Sequence, residues 1–130
     1  MRWLLACSLV MLILVGCGEN SGTLPTVEAE AGDGMNQLRD LMVESASSGP
    51  PLKKKADAAE YEGRYPIAVA GVNDDSLTIV WGKGIKEGIG DAAEIIAYQT
   101  TPGSDGVWVV LENSELKKLP SDEFKSKLGK

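Results

Sequence analysis

Hydrophobic and polar positions divide the chain into four regions with different periodicities. Residues 3–15, WLLACSLVMLILV, are an uninterrupted run of apolar or small residues behind Arg2. Thirteen residues suit a signal-peptide core, usually about 7–15 long, and fall short of the roughly 20 needed to span a bilayer. A buried core helix fits poorly here, because nothing caps the run and Gly16, Gly18 and Gly22 follow at once. Residues 18–33, GENSGTLPTVEAEAGD, carry Glu19, Glu28, Glu30 and Asp33 with no basic or aromatic residue. That composition reads as a disordered spacer with a reach of about 20–25 Å.

A helical period begins after it. Met35, Leu38, Leu41 and Met42 recur at i, i+3, i+6 and i+7, opposite Arg39, Asp40 and Glu44. Asp33 is placed to cap this helix, and Gly49-Pro50-Pro51 stops it. The alanines of LKKKADAAEYEGRYP favour a short second helix opened by Pro51. PIAVAGV, residues 66–72, is too short for periodicity to separate helix from strand.

The second half changes to a period of two. SLTIVWG (76–82), EIIAYQ (94–99) and GVWVVLEN (106–113) are rich in β-branched and aromatic residues and are separated by turn-type residues. Alternation places Leu77, Ile79 and Trp81 on one face of the first strand, and sets Trp108 and Val110 against Val107, Val109 and Leu111 on the third. After Asn113-Ser114 comes a fourth run, ELKKLP, and Ser121-Asp122-Glu123 opens a terminal helix carrying Phe124 and Leu128. The expected fold is α+β: an N-terminal helix or helices on a small antiparallel sheet of three to four strands, with a short C-terminal helix. The expected organisation is a signal peptide over 1–16, a flexible acidic segment over 17–33 and one domain over 34–130.

Composition changes this picture mainly by exclusion. The net charge of the 130 residues is −6, which argues against a general nucleic-acid binder, because phosphate recognition starts from a basic surface. No histidine is present, so the commonest general base, metal ligand and pH switch are all missing. The two cysteines, Cys7 and Cys17, both fall in the first 17 residues, which excludes a disulfide scaffold for the domain.

Leu14-Val15-Gly16-Cys17 resembles the lipobox of bacterial lipoproteins: Leu at −3, small residues next, then an obligatory cysteine. The resemblance implies cleavage between Gly16 and Cys17 and acylation of Cys17, several acyl chains on one residue giving firm anchoring where one is marginal. Loss of residues 1–16 takes Arg2 with it and leaves 12 basic against 19 acidic residues. The residue after the cysteine is Gly18 rather than Asp, which by the same resemblance favours the outer over the inner membrane, with the domain facing the periplasm.

Beyond the spacer, YPIAVAGVNDDSLTIVWG and AAEIIAYQTTPGSDGVWVVLENSELKKLPSDEFKSKL are similar to small secreted proteins of planctomycete-type bacteria. These are related to the globular heads of type II secretion pseudopilins, in which an N-terminal helix packs on a small antiparallel sheet. The similarity covers roughly residues 35–128 and implies no established activity. A pseudopilin begins with a long hydrophobic helix after a prepilin cleavage site, followed by a Glu used in filament assembly. This chain has the lipobox and acidic segment instead.

Candidate chemistry is sparse. Gly82, Gly84, Gly88 and Gly90 suggest a phosphate cradle, but the Gly-Lys-Ser/Thr of a P-loop and the βαβ unit of a dinucleotide site are absent, so a flexible hairpin loop is expected. Asp74, Asp75, Asp91, Glu94 and Asp105 lie in loops without EF-hand spacing and read as turn residues, with Ca²⁺ as the alternative. Lys53-Lys54-Lys55 is the one basic run, by default a solvated face, with contact to anionic lipid or cell-wall polymer as the alternative. Trp81 and Trp108 are expected in the core; exposure of either would mark a partner- or sugar-binding face. The expectation is a non-enzymatic, membrane-anchored envelope module without metal or cofactor. Its partners are the lipid membrane, through Cys17, and an envelope protein. The alternatives are an accessory of a type II secretion or pilus-like machine, and a Ca²⁺- or glycan-binding module.

Overall fold

The computed structural model describes residues 27–129, and their side chains from residue 31 onward. Helix α1 spans Val27–Ser48, and helical geometry therefore begins seven residues before the domain start expected at residue 34. It is interrupted at Gly32 (φ 76°, ψ 167°), a conformation that costs glycine little. Asn36 Nδ2 donates to Gly32 O at 2.9 Å across the break. From there the apolar stripe behaves as its period requires: Met35, Leu38, Leu41 and Met42 are all buried.

Two short helices follow, α2 (Lys55–Ala59) and α3 (Pro66–Asn73), so the ambiguous PIAVAGV segment is helical. Pro66 occupies the first turn of α3, where its missing N–H is no loss. The open N-terminus is capped from a distance: Gln37 Oε1 on α1 accepts the Ile67 and Ala68 N–H groups at 2.9 and 3.3 Å. That pair of bonds fixes α3 against α1, and Ala68, Val69 and Val72 enter the core beside the α1 stripe.

The strands are β1 (Leu77–Ile79), β2 (Ile95–Gln99), β3 (Val107–Leu111) and β4 (Leu116–Leu119), followed by α4 (Ser121–Leu128). They form one four-stranded sheet in sequence order, every pair antiparallel. The fold is α+β, as the periodicities indicate.

Each face of the sheet carries its own core. Trp108 and Val110 of β3, with Leu77 and Ile79, lie under α1 and α3. Val107, Val109 and Leu111 lie on the opposite face with Ile95 and Leu119. Between Ile95 and Ala97 the β2–β3 register slips by one residue. This bulge lets Ile96 and Ala97 both join the helix-covered core while Ile95 and Tyr98 face the other way. Phe124 of α4 closes the second core, its ring edge-on to Tyr98 at 5.1 Å. Leu128, expected to accompany it, is exposed. Helix α4 is capped at Pro120 rather than Ser121, and no side-chain bond closes it.

Candidate functional site

Gly16 and Cys17, the cleavage and lipid-attachment residues, lie outside the described residues, as does the rest of the 1–16 segment. What the described residues bring together is a corner at the end of α1. Gly49-Pro50-Pro51 turns the chain out of the helix, and Leu52 then drops into the core. Leu52 O accepts the Gly82 N–H at 2.7 Å, and a Cβ on Gly84 would stand 3.4 Å from Pro51 Cγ. These contacts hold the basic run Lys53-Lys54-Lys55 next to the segment leaving β1, 26 or more residues further along the chain.

Trp81 lies on that segment and is 37% exposed, which corrects its expected place in the core. The reason is that β1 is only three residues long. Its last bond to β2 is Val80 N–H to Ile96 O, at 2.8 Å, and a turn through Gly82 (φ 85°) follows. The alternation that would have pointed Trp81 inward therefore ends before reaching it. Trp108, in mid-strand, does sit in the core with 6% exposure.

Two hollows flank the corner. One of about 350 Å³ is lined by Ser45, Ser48, Leu52, Lys53, Asp57 and Tyr61. A groove of about 50 Å³ runs between Lys55, Asp75, Thr78 and Trp81. Lys55 Nζ bonds Asp75 Oδ1 at 2.6 Å and the Lys53 N–H is taken by Asp57 Oδ2 at 2.8 Å. Among the described residues, the ammonium groups of Lys53 and Lys54 have no carboxylate partner, and both side chains are exposed.

The glycine-rich loop after Trp81 does not open a helix; it returns to β2 through a single 3-10 turn, Gly90–Ala92. It is not a loose hairpin loop either. Glu112, just past β3, is 2% exposed and is the only buried acidic residue among those described. Its Oε1 accepts from Lys86 Nζ at 2.7 Å and its Oε2 from the Glu94 N–H at 3.2 Å. The backbone repeats the link: Lys86 N–H donates to Glu112 O at 2.6 Å and Glu112 N–H to Glu94 O at 2.9 Å. Lys83 pairs with Glu94 beside it. Hydrogen bonding to the Glu112 carboxylate, with its charge, raises the Lys86 pKa above the ordinary lysine value. Glu112 is a residue the sequence reading missed. The available cue was parity: with Trp108 and Val110 facing the helices, position 112 follows on the same side.

The loop carboxylates do not converge. Hydrogen bonding from the Ser76 side chain, and then from the Ser76 N–H to Asp74 Oδ1 at 2.9 Å, holds the Asp74 pKa below the usual carboxylate range. Asp75 pairs with Lys55, and Asp105 with Lys118 Nζ at 2.6 Å, which lowers the Asp105 pKa. Among the described residues no group of three Asp, Glu, Cys or His side chains is placed to hold a metal ion. On α1, Glu44 takes both the Tyr65 hydroxyl at 2.6 Å and the Arg64 guanidinium at 2.5 Å, and the first of these bonds raises the Tyr65 pKa. No helix among the described residues is long and apolar enough to cross a membrane. No family model matches the chain, and no curated protein or solved structure matches it.

Proposed function

We propose that the protein is a membrane-anchored lipoprotein of the cell envelope whose α+β domain is a non-enzymatic interaction module. The observation that carries this reading is the sequence Leu14-Val15-Gly16-Cys17 behind Arg2 and a 13-residue apolar run. Cys17 becomes the acylated first residue of the mature chain, and the domain faces the periplasm, at the outer membrane by the identity of Gly18. A binding role is supported by what the sequence offers for chemistry. No histidine is available to activate a serine, and the retained cysteine is consumed by lipid.

The experiment is mass spectrometry of the mature N-terminus. The expected result is a chain lacking residues 1–16 and carrying acyl groups on Cys17; an unmodified Cys17 would remove the anchor.

A second reading, an accessory of a type II secretion or pilus-like machine, draws on the architecture. The resemblance to pseudopilin heads implies an N-terminal helix packed on a small antiparallel sheet, and α1 against the four-stranded meander has that arrangement. Pull-down from detergent extract tests it, and the absence of any secretion component from the bound fraction counts against it.

A further inference from the structure

We propose that the corner formed by Lys53, Lys54 and Trp81 is a contact face for an anionic phospholipid surface, which lays the domain down on the bilayer to which Cys17 ties it. The inference rests on the anchor reading for its proximity to lipid, and on the fold for the face itself.

Three observations converge on this corner. The first is charge. The chain has a net charge of −6, and its one run of three consecutive basic residues lies here. Five other cations are ion-paired where they stand, Arg39 with Asp40, Arg64 with Glu44, Lys83 with Glu94, Lys86 with Glu112 and Lys118 with Asp105, while Lys117, Lys125 and Lys127, without an ion pair among the described residues, are spread over β4 and α4. At the corner, Asp75 answers Lys55, while the Asp57 carboxylate bonds the Lys53 N–H and keeps its charge; three ammonium groups therefore stand against these two carboxylates, and those of Lys53 and Lys54 have no ion pair. A negative lipid surface complements that charge; another acidic chain of this kind does not.

The second is the tryptophan. Trp81 is one of four large apolar side chains exposed among the described residues, with Val43, Ile67 and Leu128, and the only aromatic of the four. Its amphipathic ring suits the headgroup region, where tryptophans concentrate at membrane surfaces.

The third is that the juxtaposition is built. Lys53 and Trp81 are 28 positions apart in sequence and are joined by the Leu52–Gly82 hydrogen bond and the Pro51–Gly84 contact. Lys55 and Trp81 line the same groove. A solvated helix face accounts for the lysines alone; it does not account for an exposed indole in the same groove as Lys55, the last lysine of the run.

The test uses the full chain reconstituted in vesicles of phosphatidylcholine alone and of phosphatidylcholine with phosphatidylglycerol. Flotation reads the anchor. The fluorescence of Trp81, taken as the difference between the chain and its Trp81→Phe variant, reads the corner. The expected result is flotation with both vesicle types. Trp81 emission shifts to shorter wavelength and is quenched by brominated lipid only in the anionic ones. Each lysine removed, in Lys53→Ala and Lys54→Ala, lowers the ratio of docked to undocked domain about fivefold. Salt near 1 M abolishes docking, as the screening length shrinks from about 10 Å to about 3 Å.

Equal Trp81 emission in the two vesicle types, with flotation intact, overturns the contact face and leaves the anchor standing. Flotation with the anionic vesicles alone, lost in the lysine variants, supports the face and overturns the anchor; flotation with neither overturns both. A Trp81 response to soluble polygalacturonate with none to vesicles reassigns the corner to an anionic glycan and overturns the lipid assignment.

Discussion

The two faces of the sheet bury the same kinds of side chain under very different cover. On one, α1 and α3 close a core that runs from Met35 through Leu52 and Val72 to Trp108 and Leu116. On the other, six buried residues are flanked by Tyr98 and by Phe124 of an eight-residue helix that itself buries nothing completely. Ile85 and Ala93, near either end of the glycine-rich loop, pack against the first and the second core respectively, so this strap, like β2 and β3, contributes to both. The difference teaches that the first face is stabilised by many interlocking contacts, while the second depends on one aromatic lid and on the strap.

That comparison can be broken in order of size. Leu38→Ala removes a fully buried side chain from the centre of the thick layer and costs about 2–5 kcal/mol. Phe124→Ala opens the thin layer; because its ring is only half-buried, the cost is about 1–2 kcal/mol. Urea unfolding of both variants checks the pair, and equal losses would mean the second face is as well supported as the first.

Glu112→Ala tests the strap. It leaves the Glu94 N–H without its carboxylate acceptor and releases Lys86 into water, at about 1–3 kcal/mol. Hydrogen exchange is expected to rise over residues 83–94 while the amides of α1 keep their protection; a uniform rise would show that the strap has no separate stability.

The smallest effect belongs to Asp105→Asn. The Lys118 ammonium holds the folded-state Asp105 pKa below its ordinary value. The pair therefore adds stability above the unfolded pKa of about 3.9 and loses it as pH falls through the lower folded value. The melting temperatures of the variant and the parent are expected to differ at neutral pH and to converge in acid; a gap that persists at low pH would exclude the pair as its cause.

Much of the fold was legible in the sequence, because each long element states its period locally. The spacing of Met35, Leu38, Leu41 and Met42 and the alternation through Val107–Leu111 each assign the burial that is observed. What was not legible depends on contacts between distant residues. EIIAYQ is apolar without a break, so nothing in it marks the bulge that turns Ile96 and Ala97 to one side. Trp81 continues the parity of Leu77 and Ile79, yet the strand stops at Ile79 before that parity can act. The Gln37 cap on α3 and the Glu112 clamp span 30 and 26 residues respectively, distances at which a single sequence carries no pairing information. At the candidate site, the lysine run was visible as a charge run and the tryptophan as a bulky residue. Their adjacency belongs to the fold.

The sheet pairs only strands that are neighbours in sequence, and this sets an order of events in synthesis. The β2–β3 and β3–β4 hairpins close over short loops and can form as soon as their second strands emerge, and β1 reaches β2 through the longer strap of residues 80–94, so the meander pairs only neighbours and keeps its contact order low. Helix α1 is different: its apolar stripe rests partly on β3 and β4, the last strands of the chain to appear. Until residue 119 is available, Met35, Leu38, Leu41 and Met42 have only part of their partner surface. For most of the chain's emergence, then, its first helix presents a greasy stripe that a chaperone can hold.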